Sequence, residues 1–232
     1  RRFATIPPMP NTATIPPAYR AVMRLTGPYI RGWGRLEVSG LDAIPESGPT
    51  LLCGNHDSYW DPLAIGNAAF PRRRIRALAK ASLWDVPVVG TVLTHAGHIP
   101  IDRGKADRGA LDRAAAELRE GACIGVFLEG TRSLGRPLRA RSGLAHLAMQ
   151  VPEAQIVCAR VNGAVDLPRL VVRPSVSVEF FRPQGGGLQP GEEAQAFCQR
   201  LLDEIREGAP REIAGRKRRK AAARGELTPM PE

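Results

Sequence analysis

A histidine and an aspartate five positions apart, His56 and Asp61, close the stretch Asn55-His56-Asp57-Ser58-Tyr59-Trp60-Asp61. An imidazole beside a carboxylate is the chemistry of a general base and the acid that orients it. On one continuous helix, positions i and i+5 stand roughly 140° apart, so the two side chains meet only if the backbone turns between them. The preceding run Thr50-Leu51-Leu52-Cys53 is apolar and reads as a buried strand. Asp61-Pro62 reads as a helix start, with Asp at the N-cap and Pro at the first helical position. A strand end followed by a helix start supplies the turn. The same pattern also offers Asp61 a plainer role, as the cap of that helix.

Two further polar clusters follow apolar runs. Asp102-Arg103 ends the short strand expected over His98–Ile101, and Glu129-Gly130-Thr131-Arg132-Ser133 ends the one expected over Ala122–Leu128. The planar fork of arginine matches a phosphate, and Gly130 would let the backbone approach a ligand closely. Singly, such arginines are commonly surface or ion-pair residues. In a parallel sheet, however, successive strand ends come to one rim, and ligands bind beyond the carboxyl ends of the strands.

The elements that must position these residues alternate. Strands are expected over 35–40, 49–54, 75–80, 98–101, 122–128, 155–161, 171–172 and 176–181. Between them, helical patterns cover 62–70, part of 81–95, 110–118, 142–150 and 191–207. Alternation of this kind predicts an α/β fold with a central, largely parallel sheet flanked by helices. Ahead of it lies an N-terminal amphipathic helical segment, Ala18 to Trp33, kinked at Gly27-Pro28. Tyr19, Val22, Met23, Ile30 and Trp33 share one face, and Arg20, Arg24, Arg31 and Arg35 the other. Such a helix can lie in a membrane interface or lay its stripe on the domain. The chain therefore divides into an arm with a membrane-associating helix over 1–34, a main domain over 35–208 and a basic tail over 209–232.

Composition narrows the function classes. With 43% hydrophobic residues in 232, the chain has a core and is not disordered. A net charge of +10 favours an anionic partner. Nucleic acid is disfavoured, because the basic run Arg216-Lys217-Arg218-Arg219-Lys220 has no aromatic interleaving. That run suits an anionic lipid surface or a solvated tail. No stretch of 18 apolar residues and no secretory signal is apparent. Cys53, Cys123, Cys158 and Cys198 are scattered without a C-x-x-C, which argues against disulfides and zinc. His95 and His98 alone make a poor ligand set, so no metal is expected. No Gly-x-Ser-x-Gly elbow is present, which argues against a lipase-type hydrolase.

Taken together, Asn55-His56 with Asp61, Gly97-His98-Ile99-Pro100-Ile101-Asp102-Arg103 and Phe127-Leu128-Glu129-Gly130-Thr131-Arg132-Ser133 resemble, in order and spacing, three blocks of the bacterial 1-acylglycerol-3-phosphate O-acyltransferases. These belong to the lysophospholipid and glycerolipid acyltransferase superfamily, and the resemblance covers roughly residues 33 to 182. It implies that His56 is the general base and Asp61 its partner. It implies that Arg103, Glu129, Gly130, Thr131 and Arg132 hold a phosphate-bearing lysolipid acceptor, with Lys80 and Asn55 nearby. Acyl-CoA or acyl-ACP would be the co-substrate, and no cofactor is implied. The implied partners are this donor, acyl carrier protein among its carriers, and an anionic membrane surface. The implied location is peripheral, on the cytoplasmic face of the cell membrane. Two residues depart from the pattern: Leu128 stands where a proline usually precedes the glutamate, and Cys158 where the fourth block usually has proline.

Overall fold

The computed structural model describes residues 15–70, 72–102, 107–170 and 173–213. The expected strand at Val171-Val172 and the basic run 216–220 lie outside them. Seven described strands form one sheet: β1 (Glu37–Ser39), β2 (Thr50–Gly54), β3 (Arg76–Lys80), β4 (Ile99–Ile101), β5 (Cys123–Phe127), β6 (Gln155–Asn162) and β7 (Ser177–Phe181). Their order is β1-β7-β6-β2-β5-β3-β4. Pairing is parallel throughout except between β6 and β7, so β7 and β1 run against the rest.

Strand β2 is central, with every residue buried, as a parallel strand covered on both faces requires. Its period of two splits the core. Leu51 and Cys53 join the cluster under α4 (Arg108–Arg119), α5 (Gly143–Gln150) and α6 (Ala194–Gly208), which contribute Leu118, Leu144, Leu147 and Leu201. Leu52 joins the opposite cluster with Ile30, Ala64, Ala68 and Phe180, beneath α2 (Asp61–Ala69). All four cysteines are buried free thiols, and Cys53 and Cys158 lie side by side across β2 and β6 with their sulfurs 3.6 Å apart. Helices α4 and α6 start where an acid caps them: Asp107 accepts from the Ala110 amide and Glu193 from the Ala196 amide.

The N-terminal segment takes one of the two roles its sequence allowed. Helix α1 (Pro17–Gly27) continues into a wider π-helical turn, Pro28–Trp33. Pro28 has no N–H to donate, and the ladder opens there instead of ending. The apolar stripe is packed on the domain: Tyr19, Met23 and Ile30 are buried, and the Tyr19 hydroxyl accepts from the Ile75 amide at 3.3 Å. Residues 17–33 are thus a layer of the core, not an arm set apart from it. Helix α1 packs against α3 (Pro87–His95), the crossover between β3 and β4.

Candidate functional site

The turn between β2 and α2 does what the spacing of His56 and Asp61 demanded. Nδ1 of His56 lies 2.9 Å from Oδ2 of Asp61. The same oxygen accepts the Asp57 and Ser58 amides, each at 2.7 Å. Asp61 is the first residue of α2, one position inside the expected cap, and its carboxylate reaches back to the turn rather than forward to the helix's own amides. Both residues are almost fully enclosed, His56 at 6% and Asp61 at 1% exposure. Burial pushes the Asp61 carboxyl above the usual carboxylate range, while His56 and the two amides work against that shift. The His56 ring stacks on Phe127, with centroids 4.1 Å apart. Among the described residues nothing hydrogen-bonds its Nε2, so this nitrogen can take or give a proton.

The sheet brings the other clusters to the same rim. Gly54 of β2 pairs with Phe127 of β5, and the Ser133 amide donates to the His56 carbonyl at 2.7 Å. Thr131 is exposed. The Arg132 guanidinium lies 3.6 Å over the Tyr59 ring and donates to a Tyr59 hydroxyl at 2.9 Å, with no carboxylate paired to it among the described residues. Gly130 holds a positive φ of 68°, and a Cβ there would stand 2.9 Å from Cγ of Arg141, so glycine is needed for the conformation. Lys80 is exposed at the end of β3. Arg103 lies outside the described residues, and Asp102 directly follows β4. Strand β3 stands between β5 and β4, so the ends of β5 and β4 are not adjacent on the rim.

Two of the expected ligand contacts, Asn55 and Glu129, have protein partners in the structure. Asn55 is fully buried; its amide oxygen accepts from Val161 N–H at 2.9 Å, and its nitrogen donates to the Val161 carbonyl at 2.8 Å. It clips the turn to β6. Glu129 is almost fully buried, and both of its oxygens are engaged. Oε2 accepts the His56 amide at 2.9 Å, and both oxygens accept from Arg206 at 2.7 and 2.8 Å.

Arg206 escaped the sequence reading. It also donates to both oxygens of Asp57, at 2.8 and 3.0 Å. The available signal was a charge continuing the apolar stripe of α6, one turn after Leu202. Glu212 was missed as well. It accepts the Gly163 amide with both oxygens, and burial, with the nearby Asp57 and Asp61 charges adding to it, raises its pKa to about 7. The His95 and His98 rings engage different partners, the Thr91 carbonyl and the Ala77 amide. Among the described residues no group of three or more His, Cys, Asp or Glu side chains could hold a metal.

Comparison with known proteins adds a second line. A family model described as Acyltransferase matches residues 35–169, more than half of the chain. An uncharacterised protein of Mycobacterium leprae is 27% identical over 156 residues, which is 61% of this chain and 40% of that one. A 1-acyl-sn-glycerol-3-phosphate acyltransferase of Borreliella burgdorferi is 36% identical over 124 residues, covering 50% of this chain and 47% of that one. The chain thus spans less than half the length of these relatives. The crystal structure of the 1-acyl-sn-glycerophosphate acyltransferase PlsC of Thermotoga maritima superposes with a TM-score of 0.62 at 19% identity, over 82% of this chain and 78% of that one. At that identity the likeness shows a shared fold.

Proposed function

The chain belongs to the acyltransferase family, and from that premise we propose that it is an O-acyltransferase moving a fatty acyl group from an acyl thioester to the hydroxyl of a lysophosphatidate-like acceptor in phospholipid biosynthesis. The observation that carries this reading is the enclosed His56–Asp61 pair with Nε2 of His56 left open. A thioester, on CoA or on acyl carrier protein, is already activated, so no covalent acyl-enzyme is required. His56 takes the acceptor's hydroxyl proton through Nε2 as the oxygen attacks the thioester carbonyl. Asp61 holds the Nδ1–H tautomer and stabilises the imidazolium. Collapse of the tetrahedral intermediate expels the thiolate, and the imidazolium returns the proton to it. Arg132 and Thr131, with Lys80 at the end of the adjacent β3, hold the acceptor's phosphate, and the family pattern assigns Arg103 to the same task.

A lipid acceptor calls for a membrane contact, and the exposed apolar surface supports one. Leu25 of α1 is 79% exposed and Val88 of α3 is 76% exposed, with Val86, Val89 and Val92 also open. Arg20 and Arg24 are exposed on α1 beside them, a pairing that suits an anionic lipid surface. As the crossover from β3 to the parallel β4, α3 starts from the rim where His56 sits. No helix among the described residues is long and apolar enough to cross a membrane. The reading is therefore peripheral association, at the cytoplasmic face of the cell membrane.

The test is product analysis by mass spectrometry. The protein and its His56→Ala variant are given acyl-CoA or acyl-ACP and a panel of lysophosphatidate, glycerol 3-phosphate, an amino-acid lipid and a glycolipid. Transfer to lysophosphatidate, lost in the variant, supports the reading. Transfer only to another acceptor moves the substrate assignment, and no transfer to any acceptor sinks it.

A further inference from the structure

We infer that Arg206, on the C-terminal helix α6, is a positioning residue for the His56–Asp61 pair. The inference rests on the acyltransferase reading for its catalytic meaning, but its geometry is independent of that reading. The Arg206 side chain is 6% exposed and bridges two carboxylates, Asp57 at 2% and Glu129 at 0%. Burial opposes the charge, and the hydrogen bonds and charges of Asp57 and Glu129 outweigh it, so the guanidinium stays above its ordinary pKa.

What the two carboxylates hold gives the bridge its consequence. Glu129 accepts the backbone amide of His56. Asp57 is the next residue, and its own amide points at Oδ2 of Asp61. Ser133 closes the ring by bonding the Asp57 carboxylate through its hydroxyl and the His56 carbonyl through its amide. The peptide unit that carries His56 is therefore held at both ends by groups that Arg206 holds. No other cation pairs with Asp57 or Glu129 among the described residues. The fork is what makes this possible: the two terminal nitrogens reach two carboxylates at once, with four contacts between 2.7 and 3.0 Å. A lysine offers one nitrogen and cannot reproduce that spread.

Arg206 lies 149 residues from Asp57 and beyond the residues that match the family model. The catalytic turn thus borrows its rigidity from a helix outside the segment that defines the family. The Asp57 carboxylate gathers Arg206, the Ser133 hydroxyl and the Asn55 amide nitrogen at one point of the turn.

A structural ion pair and a positioning residue differ under Arg206→Lys. Lysine keeps the positive charge between the two carboxylates but loosens the turn. The chain has four histidines, so the ring of His56 is assignable by NMR in the histidine-labelled full chain, with His56→Gln for identification. We expect Arg206→Lys to shift the His56 ring resonances and to broaden or lose its Nδ1 proton signal, in protein that circular dichroism shows to be folded. We expect kcat to fall at least tenfold at a temperature well below melting, with acceptor KM within about twofold of wild type. Should Arg206→Lys fail to fold, Asp57→Asn serves, since it leaves the Arg206–Glu129 half of the bridge and is expected to shift the same resonances. Unchanged His56 resonances in the folded variant would overturn the inference, as would an unchanged kcat. If the wild-type protein transfers no acyl group, the proposed activity fails and the resonances alone decide the positioning role.

Discussion

Asp61→Asn separates the two roles that the sequence allowed Asp61. In the structure Oδ2 receives three groups: Nδ1 of His56 at 2.9 Å and the Asp57 and Ser58 amides at 2.7 Å. An asparagine must turn its oxygen toward those two amides, since its NH2 would meet two donors. The His56 tautomer is then preserved and the charge alone is lost. A full charge at this distance stabilises an imidazolium by about 6 kcal/mol at an effective dielectric of about 20. If half or more of that is expressed in the transition state, kcat falls about 10²–10⁴-fold. Stability should move the other way. Burial raises the folded pKa of Asp61, so the folded protein binds a proton more readily than the unfolded chain. Its contribution is then lost as pH rises from the unfolded value through the raised folded value, and ionised Asp61 costs stability at neutral pH. The neutral amide removes that cost, so the variant should melt at or above the wild-type temperature at pH 7. Steady-state kinetics and thermal melts of the two proteins decide it. An Asp61→Asn enzyme with near-wild-type turnover would refute the catalytic pairing, and one that melts much lower would refute the electrostatic argument.

Other outcomes follow from single contacts. Arg132→Lys should raise acceptor KM with donor KM and melting temperature nearly unchanged, because among the described residues Arg132 hydrogen-bonds the 70% exposed Tyr59 and pairs with no carboxylate; equal KM values in steady-state kinetics would remove it from phosphate binding. Burial and the charges of Arg74 and Arg76 lower His98 from 6.5 to about 4, so its contribution is present above pH 6.5 and is lost as pH falls toward 4, by up to about 2–3 kcal/mol. Glu212 titrates with the opposite sign, so the check is the difference in urea midpoints between wild type and His98→Gln across pH 4–7, which should shrink as pH falls. Gly130→Ala forces a positive φ on an L-residue and should cost about 1–2 kcal/mol, or about 2–8 °C in melting temperature. Val88→Asp should reduce flotation with anionic liposomes without changing the fold, whereas unaltered flotation would exclude the α3 patch as the membrane contact.

The sequence by itself determined what is local. Alternating apolar runs and helical stripes specified an α/β sheet, because each strand and helix carries its own period. The turn between β2 and α2 was legible too, since a strand end, six residues and Asp61-Pro62 leave few ways to bring His56 and Asp61 together. The rim was inferable because parallel strands must end on one side. Tertiary structure decided what depends on contacts distant in the chain. The stripe on α1 is equally suited to lipid or to protein; only the sheet beneath it shows that Tyr19 and Ile30 are spent on the core. Motif position pointed Glu129 and Asn55 at a ligand; only the fold shows that Arg206 and Val161 are among their partners. Strand order put β3 between β5 and β4. No local pattern encodes a partner 149 residues away. A buried guanidinium on α6 becomes part of the site only when folding places that helix over the turn.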